Sequence, residues 1–222
     1  MYGRLLGRFG RLNWWPGESP FEVMVGAVLT QNTAWRNVEK AIGNLAKNGL
    51  LTPEAMAGVK DEVLAELIRP SGYFNVKARR LKALVELVLG KGPGGERPEI
   101  LDLPLEELRA ALLGVTGVGP ETADSIVLYA ANKPSFVVDA YTRRLLSRHG
   151  LAKGDEPYAD IRAWFMAHLE PDVGLFNEYH ALIVAAGHQK CGPKRPDCQS
   201  CPINDDPLLD KSLAETIKPK PV

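Results

Sequence analysis

Asp139, three clustered cysteines and a group of tryptophans are the side chains whose types and spacing suit chemistry. Asp139 follows Val137-Val138 and precedes a helical pattern that begins at Tyr141, so its carboxylate suits an N-cap accepting helix N–H bonds. Cys191, Cys198 and Cys201 all fall within eleven residues, and an odd, clustered set reads as metal binding before disulfide. Trp14, Trp15 and Trp35 are three of the four tryptophans. Such rings most often pack cores, but their faces also stack on flat ligands and attract cations.

A glycine-rich turn lies between these groups. Leu113-Gly114-Val115-Thr116-Gly117-Val118-Gly119-Pro120 joins two amphipathic patterns, and its glycines allow positive φ angles and close backbone approach. N–H groups at the start of a helix near Pro120 would accept a phosphate without using Lys or Arg. A glycine-rich helix connection with Pro at the first helical position explains the same residues with no function attached.

The elements that must position these groups are helical. Apolar residues recur at spacings of three and four in 21–29, 38–45, 76–89, 105–113, 122–130, 141–146, 161–169 and 179–186. The short apolar stretch 135–138 is the one tempting strand, and it stands without a partner of matching pattern, so the expected class is all-α. At 222 residues the chain is long enough for one large domain or two small lobes. Lys plus Arg and Asp plus Glu balance at 27 each, so contact with nucleic acid requires a local basic face rather than an overall cationic field. The opening residues lack the apolar run of a signal peptide, and no stretch has the length of a membrane span, which points to a cytoplasmic protein with no membrane partner.

Val115-Thr116-Gly117-Val118-Gly119, followed twenty residues later by Val137-Val138-Asp139, resembles the helix-hairpin-helix, Gly/Pro-rich loop and catalytic aspartate of the endonuclease III superfamily of DNA glycosylases. The likeness extends to Leu29-Thr30-Gln31-Asn32-Thr33, to Gly72-Tyr73-Phe74-Asn75-Val76-Lys77-Ala78 and to the cysteines, and so covers most of the chain in family order. It implies a two-lobed fold: a six-helix lobe over 19–133 containing the hairpin at about 104–132, and a second lobe of 1–18 plus 134–222 ending in a cysteine loop at 191–207. The hairpin and Asp139 would sit at the cleft of a monomer acting on double-stranded DNA with a damaged base.

In that setting Asp139 would both cap its helix and stabilise an oxocarbenium-like sugar, or direct water onto it, as an N-glycosidic bond breaks. Members that also nick the strand carry a lysine two residues after the last hairpin glycine. Here that position is Glu121, which cannot form the required imine, so base removal without AP-lyase action is expected. A first-turn acid suited to the helix dipole accounts for Glu121 equally well.

The resemblance also places Trp14, Trp15 and Trp35 beside the damaged-base pocket, with Glu121 nearby. Aromatic faces that stack on an extruded base attract it further if alkylation has made it cationic, and such a base needs little acid catalysis to leave. The pattern looks most like the 3-methyladenine glycosylases, which points to alkylation damage. The competitors are a glycosylase for thymine or uracil mismatches or oxidised pyrimidines and, from another class, a hairpin module that binds DNA without chemistry. An adenine-mismatch enzyme would be expected to carry a glutamate where this chain has Ala27.

Gln31 resembles the residue that fills the gap left by the flipped nucleotide, and Tyr73 the second wedge, which partly unstacks the opposite strand. Gly117 and Gly119 would bring backbone to the DNA. Lys77, Arg79, Arg80 and Lys82 on one helix and Arg143, Arg144 and Arg148 on another would supply positive charge for phosphates, although solvated helix faces look the same in sequence. Cys191-x6-Cys198-x2-Cys201 resembles the first three ligands of the family's iron–sulfur loop, whose fourth position is Pro207. The open alternatives are a [4Fe-4S] cluster with a non-cysteine ligand such as Asp205, Asp206 or His188, a zinc site using His188, or no metal. The loop, with Lys190, Lys194 and Arg195, would serve structure and DNA contact.

Overall fold

The computed structural model describes residues 1–15 and 17–204, so Asp205, Asp206 and Pro207 lie outside the described residues. Among the described residues there are eleven α-helices and no strand: α1 (Tyr2–Phe9), α2 (Pro20–Leu29), α3 (Trp35–Lys47), α4 (Pro53–Gly58), α5 (Asp61–Leu67), α6 (Phe74–Leu89), α7 (Leu105–Leu113), α8 (Pro120–Ser125), α9 (Ala140–Arg148), α10 (Tyr158–His168) and α11 (Val173–Gln189). The chain divides into two compact units, Trp15–Lys133, and Met1–Trp14 with Pro134–Val222.

The unit formed by Trp15–Lys133 has a single apolar core running from Phe21 to Ala131. Its central helix is α2, buried over nearly its whole length, which is why its sequence PFEVMVGAVL is apolar apart from Glu22 in the first turn. Ser19 caps it through the Glu22 N–H, and Pro20 occupies the first helical position, where its missing N–H costs nothing. The unit has seven α-helices rather than six, because residues 53–67 form two short helices. Thr52 caps α4 through the Ala55 N–H, and extended Val59 and Lys60 separate α4 from α5. These helices of six and seven residues are too short to show a helical repeat in sequence. The segment 122–130 also departs from one continuous α-helix: α8 ends at Ser125 and a π-turn covers Ile126–Ala130.

In the other unit, α11 packs against α9 and α1. The opening residues form a helix, α1, which two interior glycines had disguised; Leu5 is its buried residue. The segment 135–138 is extended and buried but pairs with no strand. Phe136 instead stacks on Phe165 at 3.8 Å, and Tyr158 Oη accepts from the Val138 N–H at 3.3 Å. Asp139 is therefore delivered to the start of α9 by an anchored, inward-facing strip of chain.

Candidate functional site

The hairpin is built in the Trp15–Lys133 unit from α7, the turn and α8. Val115 and Val118 point inward, whereas Thr116, Gly117 and Gly119 are exposed, so the turn offers backbone outward while its valines anchor it. Gly117 has φ 86°, and a Cβ there would meet the Arg80 side chain at 2.5 Å; both conditions call for glycine. A partly buried ion pair fixes the two helices: Arg109 Nε and Nη2 donate to Asp124 Oδ1 and Oδ2 at 2.8 and 3.2 Å. Gln31, in the turn after α2, reaches this hairpin. Its Nε2 donates to the Gly117 carbonyl and to Thr122 Oγ1, both at 3.0 Å, and its Oε1 accepts from Arg80. The amide expected to meet an orphaned base is held against the hairpin in this state.

Tyr73 stands differently. It is 74% exposed and occupies the left-handed region, with φ 45° and ψ 33°, directly after Gly72 at φ 67°. A non-glycine residue held there costs about 1 kcal/mol or more. The fold thus spends strain to present a large ring to solvent.

Lys77 is not the surface cation expected from sequence. It is 1% exposed, and burial, with Arg80 adding to it, lowers its ammonium to about 8. Lys82 is turned to the Ala57 and Val59 carbonyls, and Arg80 to Gln31; of the four cations on α6, only Arg79 is exposed. Residue types alone could not separate these roles, but position does. Lys77 lies one turn before Leu81 on the stripe that continues through Leu84, Val85 and Val88 into the core.

Trp15 and Trp35 come together: their ring centroids are 5.1 Å apart at 82°, and Tyr129 lies 5.0 Å from Trp15. All three rings are half-buried against the core. Trp14 belongs to the other unit. Glu121 is exposed in the first turn of α8.

Asp139 begins α9 in the unit containing α11. Its Oδ1 accepts from the Thr142 N–H at 2.7 Å and the Thr142 hydroxyl at 2.8 Å, while Oδ2 lies 3.5 Å from His180 Nε2. Burial pushes this carboxyl up, but His180 and the two Thr142 donors outweigh it and hold Asp139 below the usual carboxylate range. The site is an ionised carboxylate with one oxygen fully engaged. His180 is a neighbour of Asp139 that the sequence did not point to. The signal was a histidine on the buried stripe of α11 with Phe176 and Ile183.

The arginines of α9 are structural rather than free. Arg143 donates to the Glu156 carbonyl at 2.6 Å, so its assignment to phosphate is not supported by its position. Arg144 donates to the Cys191 and Gly187 carbonyls, and Arg148 to the Gly192 and Pro193 carbonyls and to Cys191 Sγ at 3.2 Å. Together they fasten the cysteine loop onto α9. Cys191, Cys198 and Cys201 line one cavity of about 140 Å³ with Arg148, His149 and Lys190. Burial, joined by the Cys191 and Cys198 thiols, pushes the Cys201 thiol up against a backbone hydrogen bond at Ile203 and the Lys190 charge, which pull it down. His188 is exposed and does not line the cavity, which removes the zinc arrangement that used it. Among the described residues no three His, Cys, Asp or Glu side chains are placed to hold a metal ion; Asp205 and Asp206 lie outside those residues.

Comparison with known proteins agrees with this geometry. Residues 25–171 match the family described as HhH-GPD superfamily base excision DNA repair protein. A Methanocaldococcus jannaschii chain whose name assigns it provisionally to the DNA repair glycosylases is 45% identical over 92% of this chain and 93% of its own. Endonuclease III of Thermotoga maritima is 31% identical over 82% of this chain and 79% of its own. The crystal structure of H. pylori 3-methyladenine DNA glycosylase bound to 1,N6-ethenoadenine superposes with a TM-score of 0.68 at 30% identity, covering 83% of this chain and 92% of that one. No helix among the described residues is long and apolar enough to cross a membrane. With the hairpin, the aspartate and these likenesses in agreement, the chain belongs to the helix-hairpin-helix superfamily of base excision repair DNA glycosylases.

Proposed function

We propose that this enzyme is a monofunctional glycosylase that hydrolyses the N-glycosidic bond of alkylated purines such as 3-methyladenine in double-stranded DNA. The observation that carries the substrate class is the packing of Trp15 with Trp35 and Tyr129, a half-buried cluster of aromatic rings of the kind that attracts an electron-poor, cationic ring. The likeness to a 3-methyladenine glycosylase supports the same reading. An alkylated base leaves readily, so the chemical demand falls on the sugar. Asp139 is ionised, and its Oδ2, the oxygen not spent on Thr142, is the one available to stabilise positive charge at the anomeric carbon or to orient water. Glu121 stands where a lyase would need an amine, and a carboxylate cannot form the Schiff base. Gln31 and Tyr73 enter the duplex, and Gly117 and Gly119 meet phosphate through backbone N–H groups. No step in this mechanism passes through the cysteine loop, and the enzyme acts as a monomer.

A pyrimidine glycosylase is the second reading, favoured by the likeness to an endonuclease III. Incubation with methylated DNA, followed by chromatography of released bases, separates the two. Free 3-methyladenine or 7-methylguanine is expected, and none from Asp139→Asn. Release of thymine or uracil from mismatched duplexes, with no alkylated base released, would transfer the assignment to pyrimidines. No base released from either panel would favour the non-catalytic hairpin module.

A further inference from the structure

Lys77 spends all three of its donors on two loops. Nζ donates to the Leu29 carbonyl at 2.7 Å, to Thr33 Oγ1 at 2.7 Å and to the Ser71 carbonyl at 2.8 Å. Leu29 and Thr33 stand two residues to either side of Gln31, and Ser71 stands two residues before Tyr73. The Thr33 hydroxyl, which accepts from Lys77, lies 2.5 Å from the same Ser71 carbonyl and closes the link between the loops. Each loop contains a residue with positive φ, Asn32 at 52° and Tyr73 at 45°, which takes the chain out of the right-handed helical conformation at that point. The ammonium is buried, and charge-assisted bonds to carbonyls are strong where water is excluded.

We propose that Lys77 is a positioning residue that clamps the Gln31 turn to the Tyr73 turn and fixes the gap between the two groups that enter the duplex. This rests on the reading above, in which Gln31 and Tyr73 invade DNA. Prising base pairs apart pushes back on both loops, and a side chain bonded to both keeps them from spreading. The clamp belongs to strand opening. Bond cleavage at Asp139 needs nothing from it once the base is out.

Opening and cleavage are separated by comparing one lesion in a fully paired duplex with the same lesion opposite a gap, where little opening is needed. Lys77→Met keeps the stem and removes the ammonium; Thr33→Val removes the bridging hydroxyl and perturbs the fold less. Circular dichroism and thermal melting establish that each variant folds. In single-turnover assays both should lower the ratio of paired to gapped excision rate, Lys77→Met by about tenfold and Thr33→Val by less. Equal loss on both duplexes in a folded variant, or an unchanged ratio, overturns the clamp. If Lys77→Met does not fold, Thr33→Val decides.

A second readout does not depend on base release. Wild type bound to a duplex carrying 2-aminopurine opposite a tetrahydrofuran abasic analogue should raise its fluorescence by unstacking that base, and the variants should lose most of the rise. Variants that bind and keep the full rise overturn the clamp. Wild type that leaves the probe dark overturns the wedge premise and the clamp with it. Wild type that brightens the probe but releases no base from any lesion overturns the glycosylase reading alone, and the variants' fluorescence then decides the clamp.

Discussion

Asp139 Oδ2 lies 3.5 Å from His180 Nε2, while Oδ1 is held by both donors of Thr142. The two oxygens of one carboxylate are thereby given different work. Oδ1 ties down the first turn of α9 and fixes the side chain's rotation; Oδ2 faces an imidazole that helps keep it ionised. A helix cap and a reactive carboxylate are usually alternative explanations of an aspartate. Here the division between oxygens accommodates both.

Asp139→Asn tests the division. Asparagine is as good an N-cap as aspartate, so its carbonyl can replace Oδ1 at the Thr142 N–H and the melting temperature should fall by no more than about 5 °C. Base release should fall by about 10²–10³-fold in a single-turnover excision assay, because the charge proposed to face the sugar is gone. A variant that folds and excises at the wild-type rate would take the chemistry away from Asp139.

The pH dependence follows from the same pair. Asp139 titrates below the ordinary carboxylate range because His180 and Thr142 outweigh the effect of burial. A carboxyl depressed by folding contributes stability above its unfolded pKa, near 4, and loses that contribution as pH falls through the folded value. Wild-type excision should therefore hold its rate well into acid. In His180→Gln the burial effect is opposed by Thr142 alone, so the acid limb of the rate profile should move toward neutrality. An acid limb that stays in place would show that His180 does not govern Asp139.

The hairpin could be read from sequence because everything that makes it is local: glycines at 117 and 119, a proline at 120 and valines at 115 and 118 specify a turn within eight residues. Asp139 was readable for the same reason. His180 was not, since its partner lies forty-one residues away and only packing brings α9 to α11. Lys77 was misread because a cation in Lys77-Ala78-Arg79-Arg80 looks solvated unless its phase is compared with Leu81 and Leu84. Burial of a lysine requires acceptors, and these came from two loops that no helical periodicity could place. The partners of the α9 arginines were equally out of reach, being the Glu156 carbonyl for Arg143 and carbonyls near residue 190 for Arg144 and Arg148.

Glu121 makes a direct statement about strand cleavage. It is exposed at the first turn of α8, and the proposed monofunctional reading rests on a carboxylate standing there in place of an amine. Borohydride added during turnover should trap no covalent protein–DNA adduct with the wild type, as judged by denaturing gel. Glu121→Lys should yield a trapped adduct if the position matches that of the bifunctional relatives. A wild-type adduct would refute the monofunctional reading.

Tyr73 offers the test in which stability and activity should move in opposite directions. The residue is 74% exposed, yet its backbone sits at φ 45°, where glycine is free of strain. Tyr73→Gly relieves that strain, and the gain of about 1 kcal/mol should appear as a melting temperature raised by a few degrees, partly offset by the greater freedom of glycine when unfolded. The same change deletes the wedge, so excision from a paired duplex should fall by about tenfold or more, in keeping with an unstacking cost of a few kcal/mol that the ring no longer offsets. Tyr73→Phe, which keeps the ring and the strain, should retain both the wild-type rate and the wild-type melting temperature. A Tyr73→Gly enzyme that is more stable and equally fast would mean that the strained ring serves something other than opening DNA. One that is slower without being more stable would mean that the left-handed turn is held at no cost. The expected pair, more stable and slower, is the mark of a residue kept for function against the preference of its own backbone.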